Sequence, residues 1–347
     1  MTNEESILLD GECEFCRIHD KLSQLEPDYI WNLAEKLRKK DGYHCLIGIS
    51  GGLDSSYLLW FTVYFLRLKP LVVHFNNKWN DPIANQNIKM LVDKLEVDYI
   101  QVFSDEEYDR LCGAFLKSGV KDLDIPNDLY MAAVMSKIAL MYKIKYIFNG
   151  HDFRTEGSTP LGWTYMDDRY LESVYKRYVH ENLKTKWRFS FLLQLRTALA
   201  VIKHVRVFHY INIPDTEKRN TMLEFGWKDY GEKHGENIYT KFIGYHVLPK
   251  KWGIDKRKVY FSARIRSGNM TKDEAKEGLK DEVFFDYLHF TDIWRRTGIT
   301  VKDALSTPKH TYKEFDHYNF RKWRPFLWVL MKMKLVPYNF YKKYATK

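Results

Sequence analysis

Residues 44–50, HCLIGIS, read as a buried strand that runs without a linker into Gly51-Gly52 and then into LDSSYLLWFTVYFLRL, an apolar stretch free of helix breakers. A strand that becomes a helix across two glycines restricts the possible folds severely. The glycines allow a sharp turn and leave backbone N–H groups uncovered, which suits a parallel sheet with a ligand beyond the strand's carboxyl end. The alternation continues with LVVHF at 71–75 as a second strand, a helix from Ala84 to Leu95 and a strand DYIQVF at 98–103. Helices near 106–117 and at 128–143 precede a strand KYIFNG at 145–150, and VRVFHYINIP at 205–214 is expected to form one last strand. Upstream, Ile30, Leu33 and Leu37 recur at helical spacing. The prediction is an α/β fold, a parallel sheet with helices on both faces, joined to a mainly helical C-terminal region. Its expected divisions are a leader with a close cysteine pair at 1–40, the sheet domain at 41–215 with a basic helical insertion at about 158–204, and a C-terminal region at 216–347.

The formal charge of +10 is unevenly spread. Residues 176–210 hold eight Lys/Arg against Glu181, and 311–347 hold nine against Glu314 and Asp316, leaving the remainder of the chain at −4. Two basic, aromatic-rich segments in a mildly acidic protein do not resemble the broad basic face of a nucleic-acid binder, and no nucleic acid is expected. Within them, WRFSFLLQLRTALAVI at 187–202 and RKWRPFLWVLMKMK at 321–334 combine a short apolar stretch with flanking cations, a pattern suited to peripheral contact with a membrane. Neither approaches the roughly 20 apolar residues that cross a bilayer. The N-terminal sequence has no secretory pattern, so the expected compartment is cytoplasmic, and four cysteines are too few for a disulfide framework.

The stretch Ser50-Gly51-Gly52-Leu53-Asp54-Ser55-Ser56 carries the chemistry. Backbone N–H groups and the hydroxyls of Ser50 and Ser55 can cradle a pyrophosphate at a helix N-terminus. Asp54 would repel phosphate on its own and is expected to act through magnesium. The stretch has neither the Gly-Lys-Ser/Thr ending of a Walker A loop nor the GxGxxG spacing. Its SGGLDS matches the SGGxDS signature of the PP-loop ATP pyrophosphatases. In order along the chain, CLIGISGGLDSSYLL, GHDFRTEG at 150–157, GWKDYGEKHGEN at 226–237 and LPKKWGIDKRKVYFSARIRSGNMTKDEA at 248–275 resemble the N-acetyl sugar amidotransferases of surface-polysaccharide (LPS O-antigen) and flagellin-glycan biosynthesis, over residues 8 to 280. The resemblance implies ATP cleavage to AMP and pyrophosphate, an adenylylated intermediate, and conversion of an acetamido group on a nucleotide-activated sugar to acetamidino. It also implies ammonia supplied by a glutaminase with its synthase-like partner. That family opens with two close cysteine pairs suited to zinc; this sequence shows only Cys13 and Cys16, which His19 or a neighbouring chain would have to complement.

The chemistry needs a clamp for pyrophosphate, cations for the leaving phosphates and a base for the amine proton. Arg154 and Glu156 are candidates from the loop that bears Gly150, and Lys233, His234 and Glu236 crowd three able side chains between glycines. Arg264 and Arg266 sit on a strand-like alternation, facing either a phosphate or sugar carboxylate or an ordinary ion pair. His74, Phe75 and Asn76 follow the second strand, where this fold holds adenine. Two other readings compete: a PP-loop tRNA sulfurtransferase, and a non-catalytic membrane-associated scaffold, for which an intact SGGLDS would have no purpose.

Overall fold

The computed structural model describes residues 8–9, 12–157, 159, 163, 165–231, 235–281, 287–333, 335–336 and 341. Five strands form one sheet: β1 (Cys45–Gly48), β2 (Pro70–Asn76), β3 (Asp98–Phe103), β4 (Tyr146–Asn149) and β5 (Lys203–Arg206). All neighbours are parallel in the order β3-β2-β1-β4-β5. The chain moves outward from β1 to one edge and returns to the other side of β1 through β4, so the reversal falls beside β1. That reversal opens a crevice at the carboxyl ends of β1 and β4, where such sheets take ligands.

The period-2 geometry of a strand sorts the side chains into two cores. Leu46, Leu71, Val73, Phe75 and Ile147 face one layer, while Cys45, Ile47, Val72, Phe148 and Val205 face the other. Both faces are covered, so the strands read as continuous apolar runs rather than alternating ones. After the leader helix α1 (Glu14–Ser23), the helices α2 (Asp28–Arg38), α3 (Leu53–Tyr64) and α4 (Pro82–Leu95) pack on the second face. On α2 the buried positions are Ile30, Leu33, Ala34 and Leu37, the spacing expected of one helical stripe. On α4, Asp81 caps the first turn by accepting from the Ile83 N–H, and Pro82 occupies the position whose missing N–H costs nothing.

The first face is covered by α5 (Glu106–Ser118), α6 (Ile125–Met141) and α7 (Asp168–Val179). The expected last strand is corrected here. Only β5 is extended, and the chain breaks at once into α9 (Val207–Tyr210), after α8 (Phe191–Leu199). Val207 and Phe208 are fully buried beside Tyr57 of α3, and turning the backbone is what puts both into that core.

From α10 (Asp215–Phe225) onward the chain is helical: α11 (Ile238–Phe242), a π-helical stretch Ile243–Trp252, α12 (Arg257–Arg266), α13 (Lys272–Gly278), α14 (Tyr287–Thr297), α15 (Val301–Ser306) and α16 (Arg324–Lys332). While Met222 of α10 joins the second core and Leu327 of α16 centres a small cluster apart, several of these helices add to the first core. Ile293, Ile299, Tyr312 and Phe315 join it, and Tyr312 stacks on Tyr165 with ring centroids 3.9 Å apart. No helix among the described residues is long and apolar enough to cross a membrane.

Candidate active site

The loop between β1 and α3 is shaped by its first glycine. Gly51 has φ +83°, a left-handed conformation that side chains rarely adopt, and a Cβ there would overlap the Ala84 carbonyl. The Gly51 carbonyl is held from two directions, by the Trp227 indole N–H at 2.9 Å and the Asn87 amide at 3.3 Å. Asn87 also donates to the Lys228 carbonyl at 2.8 Å and accepts from the Lys228 N–H at 2.8 Å, tying residues 227–228 to the loop.

The donors of the loop converge. The Ser50 and Ser55 hydroxyls lie 3.1 Å apart, the Gly52 N–H donates to Ser50 Oγ at 3.3 Å, and Ser50 Oγ donates to Glu236 Oε1 at 3.3 Å. Tyr230 donates to the other Glu236 oxygen at 3.1 Å. Burial, and then the charge of Glu236, pushes the Tyr230 phenol up, so it remains a donor. The Glu236 carboxylate thus lies on the glycine cradle where a phosphate oxygen would be held. Its backbone is stitched there by the Asp81 N–H to Glu236 carbonyl bond and the Ile238 N–H to Trp79 carbonyl bond, both 2.8 Å, around an isolated bridge between Asn80 and Asn237. Ser56, by contrast, is wholly buried on α3 and lies outside the hydroxyl cluster.

Behind the loop lies a charge cluster that the sequence reading missed. Lys218 of α10 has no exposed surface, and its ammonium reaches Asp54 Oδ1 at 3.0 Å, Asp152 Oδ2 at 3.2 Å and Asp215 Oδ1 at 3.9 Å. It also lies 4.2 Å from the centroid of Phe208. Burial works against its charge, yet the three carboxylates outweigh that and hold its pKa above the ordinary lysine value. Gly150 is required beside it, because a Cβ there would come within 2.8 Å of the Asp54 carbonyl oxygen. An oxygen-only set of Ser50, Ser55 and Asp54 with backbone N–H groups and a buried ammonium fits a polyphosphate and the hard cation that accompanies one.

The other expected residues are placed as follows. Arg154 turns inward: its guanidinium donates to the Phe208 carbonyl at 2.7 Å and to Asp152 Oδ1 at 3.4 Å, fixing the loop after β4. Glu156 meets His151 Nε2 at 3.4 Å, and His151 Nδ1 meets His209 Nε2 at 3.3 Å, a line of three side chains at the end of β4. His74 is buried, with Nδ1 on the Ile49 carbonyl at 2.8 Å, and burial pushes its pKa down, so it pins β2 to β1 beneath the loop as a neutral ring. Phe75 packs against Tyr108 and Tyr130 in the core, and Asn76 accepts from the Lys78 N–H at 2.9 Å. Lys233 and His234 lie outside the described residues.

Arg264 and Arg266 require correction: they lie on α12, not on a strand, and two positions apart on a helix do not face the same way. Val259 and Ala263, one turn apart, close on Gly157, and that packing selects the helix. Arg264 pairs with Asp215 at 2.7 Å on the rim of the lysine cluster, while Arg266 acts electrostatically on Cys13, Cys16 and His19. The Cys13 and Cys16 sulfurs are 3.4 Å apart, and His19 Nε2 is engaged by Ser267 Oγ at 3.0 Å. Two thiols supply half of a tetrahedral zinc shell, and among the described residues no group of three or more His, Cys, Asp or Glu completes it.

His209 gives this site a measurable pH dependence. Burial, followed by the charges of Arg206, His151 and Arg154, pushes its pKa down to about 3. Between the ordinary histidine value and about 3 the unfolded chain binds a proton that the native one refuses, so stability falls as pH falls through this window. From pH 7.5 to 5.5 this one group is expected to remove up to about 1.4 kcal/mol. Urea denaturation of the parent and of His209→Gln at both pH values checks it: the variant should lose correspondingly less, and equal losses refute the assignment.

Residues 236–334 match the family model described as LPS biosynthesis protein WbpG-like, C-terminal domain. The uncharacterized protein MJ1599 of Methanocaldococcus jannaschii is 27% identical over 265 residues, 75% of this chain and 80% of that one. Among solved structures, NMN synthetase from Francisella tularensis covers 82% of this chain and 95% of its own at 12% identity and TM-score 0.38. NH3-dependent NAD synthetase from Campylobacter jejuni covers 63% and 100% at 12% and 0.31. The U34-tRNA thiolase NcsA from Methanococcus maripaludis covers 82% and 89% at 13% and 0.33. The segment that brings Glu236 onto the loop, and that ends in the basic helix α16, is similar over residues 236–334 to the C-terminal domain of WbpG-like LPS biosynthesis proteins.

Proposed function

We propose that the chain is a PP-loop amidotransferase of surface-glycan biosynthesis that uses ATP to convert an acetamido group of a nucleotide-activated sugar to acetamidino. The observation that carries this reading is the buried Lys218 beneath a glycine cradle already holding a carboxylate, because it joins an anion site to a fixed positive charge. Ser50, Ser55 and the Gly52 N–H take the phosphate oxygens as Glu236 withdraws. Asp54 would hold magnesium beside them, and the ion would supply charge neutralisation. The acetamido oxygen attacks the α-phosphorus and pyrophosphate leaves. Ammonia then adds to the activated carbon, AMP departs with the oxygen, and the nitrogen gives up a proton. His151, held between Glu156 and the neutral His209, is the base for that proton. Arg154 positions the loop that carries them. The resemblance in GHDFRTEG and GWKDYGEKHGEN, together with the WbpG-like match, favours a sugar over an RNA base.

Ammonia is assigned to a partner glutaminase with its synthase-like subunit. Cys45 and Cys112 are buried and their thiols are pushed up by that burial, so neither is an activated nucleophile. With a UDP-linked N-acetyl sugar panel, ATP, magnesium and high ammonium, the purified chain is expected to release pyrophosphate and to shift one sugar by an oxygen-to-NH exchange in mass spectrometry. With glutamine instead of ammonium it should remain silent. Glutamine hydrolysis by the chain alone, or pyrophosphate release stimulated by tRNA rather than by any acetamido sugar, overturns the reading.

A further inference from the structure

The two basic aromatic segments, far apart in sequence, are joined in the fold. Phe191 at the start of α8 lies 5.3 Å from the ring of Phe320 and 6.3 Å from that of Tyr318. Phe320 in turn packs on the small cluster centred on Leu327 of α16. Beside α8, the end of α6 contributes Met141, 72% exposed, and α8 itself presents Leu192 at 64% and Leu199 at 63%. Across the Phe191–Phe320 contact stand Trp323 at 62%, with Phe326 and Trp328 also exposed. These exposed apolar side chains, gathered on elements joined through the Phe191–Phe320 contact, form an apolar band beyond what scattered surface leucines would give.

Cations frame the band. Arg196, Lys203, Arg321, Lys322, Arg324 and Lys332 are all exposed, and no acidic residue occurs between 182 and 210 or between 317 and 347. The segments 176–210 and 311–347 together carry +14 while the rest of the chain carries −4, so the molecule is electrically polarised toward this side. Short helices with aromatic and methionine side chains outward, cations around them and no length to span a bilayer match interfacial binding. Met141 closes α6 shortly before β4 begins and Leu199 closes α8 shortly before β5 begins, so these two side chains lie toward the amino-terminal edge of the sheet, away from the crevice at the carboxyl ends of β1 and β4.

We propose that this face docks the protein on an anionic phospholipid surface, with Trp323, Phe326 and Trp328 at the acyl boundary and the arginines and lysines over the head groups. The full chain should co-sediment with vesicles of equimolar phosphatidylglycerol and phosphatidylcholine and remain in solution with phosphatidylcholine alone. About 0.5 M salt, where the Debye length is only a few ångström, should release most of it. The variant Trp323→Ser/Phe326→Ser/Trp328→Ser should partition about tenfold or more weakly. Arg321→Gln/Lys322→Gln, which leaves the apolar residues in place, should weaken binding by several fold. Thermal unfolding of both variants should match the parent, since all five side chains are exposed. Absence of binding to the anionic vesicles, equal binding to neutral ones, or undiminished binding by the aromatic variant overturns the proposal and leaves the face to a protein partner.

Discussion

Lys218→Met is expected to lower pyrophosphate release by at least about 10³-fold and to destabilise the fold by about 3–5 kcal/mol. Both effects come from the same contacts. Without the ammonium, the fully buried Asp152 keeps only Arg154 as a charged partner, and the partly buried Asp54 loses its contact with Lys218, so the carboxylates are under-compensated. Removing one partner of a buried ion pair costs more than the pair contributes, because the remaining charge is poorly solvated and has lost its compensating charge. Steady-state pyrophosphate release and urea denaturation measure the two effects separately. Lys218→Arg tests charge against shape: the cavity among Asp54, Asp152 and Phe208 is filled by a lysine, so a guanidinium should preserve stability better than activity. Turnover of Lys218→Met within tenfold of the parent would remove this residue from the site.

Asp54→Asn and Ser50→Ala should each lower turnover by at least about 10²-fold while changing stability by no more than about 1 kcal/mol. Here the fold is expected to tolerate the change, since Ser50 lies on the loop and Asp54 in the first turn of α3, both outside the apolar cores, and Lys218 keeps the charges of Asp152 and Asp215 when Asp54 is neutralised. Asp54→Asn keeps an oxygen for Lys218 but removes a negative charge. Ser50→Ala removes a donor that in this structure points at the Glu236 carboxylate. Single-turnover measurement with ATP and the acetamido sugar reads the chemical step directly. Near-parental rates for both would refute the phosphate-binding assignment of the loop.

The local geometry of the loop was legible from the sequence because everything it needs is contiguous: a strand, two glycines, two hydroxyls and a helix. The central strands were equally readable, since CLIG at β1 and LVV within β2 are apolar runs bounded by turn residues, whereas β5, KHVR, carries little such signal and its expected continuation turned out to be helical. Lys218 was not readable. It lies in DTEKRNTMLEF, a helix with the composition of a solvated surface, and only the fold shows that one of its two adjacent cations is wholly buried. Trp227 and Asn87 were hidden for the same reason: their partner is a backbone carbonyl, which leaves no trace in a pattern of side chains. Arg264 and Arg266 misled through brevity. Three residues of alternation fit a strand or a helix equally, and the deciding contact, Val259 and Ala263 on Gly157, is over 100 residues away in sequence.

Lys218 stands 164 residues downstream of Asp54, and Glu236 is farther still at 186 residues from Ser50. A chain emerging from the ribosome therefore exposes its glycine loop long before the lysine and the capping carboxylate exist. Contacts of such sequence separation form late, after the entropy of closing the intervening chain has been met. The fixed positive charge behind the loop is thus absent until synthesis has passed residue 218, and a nascent or prematurely terminated chain short of that point lacks it.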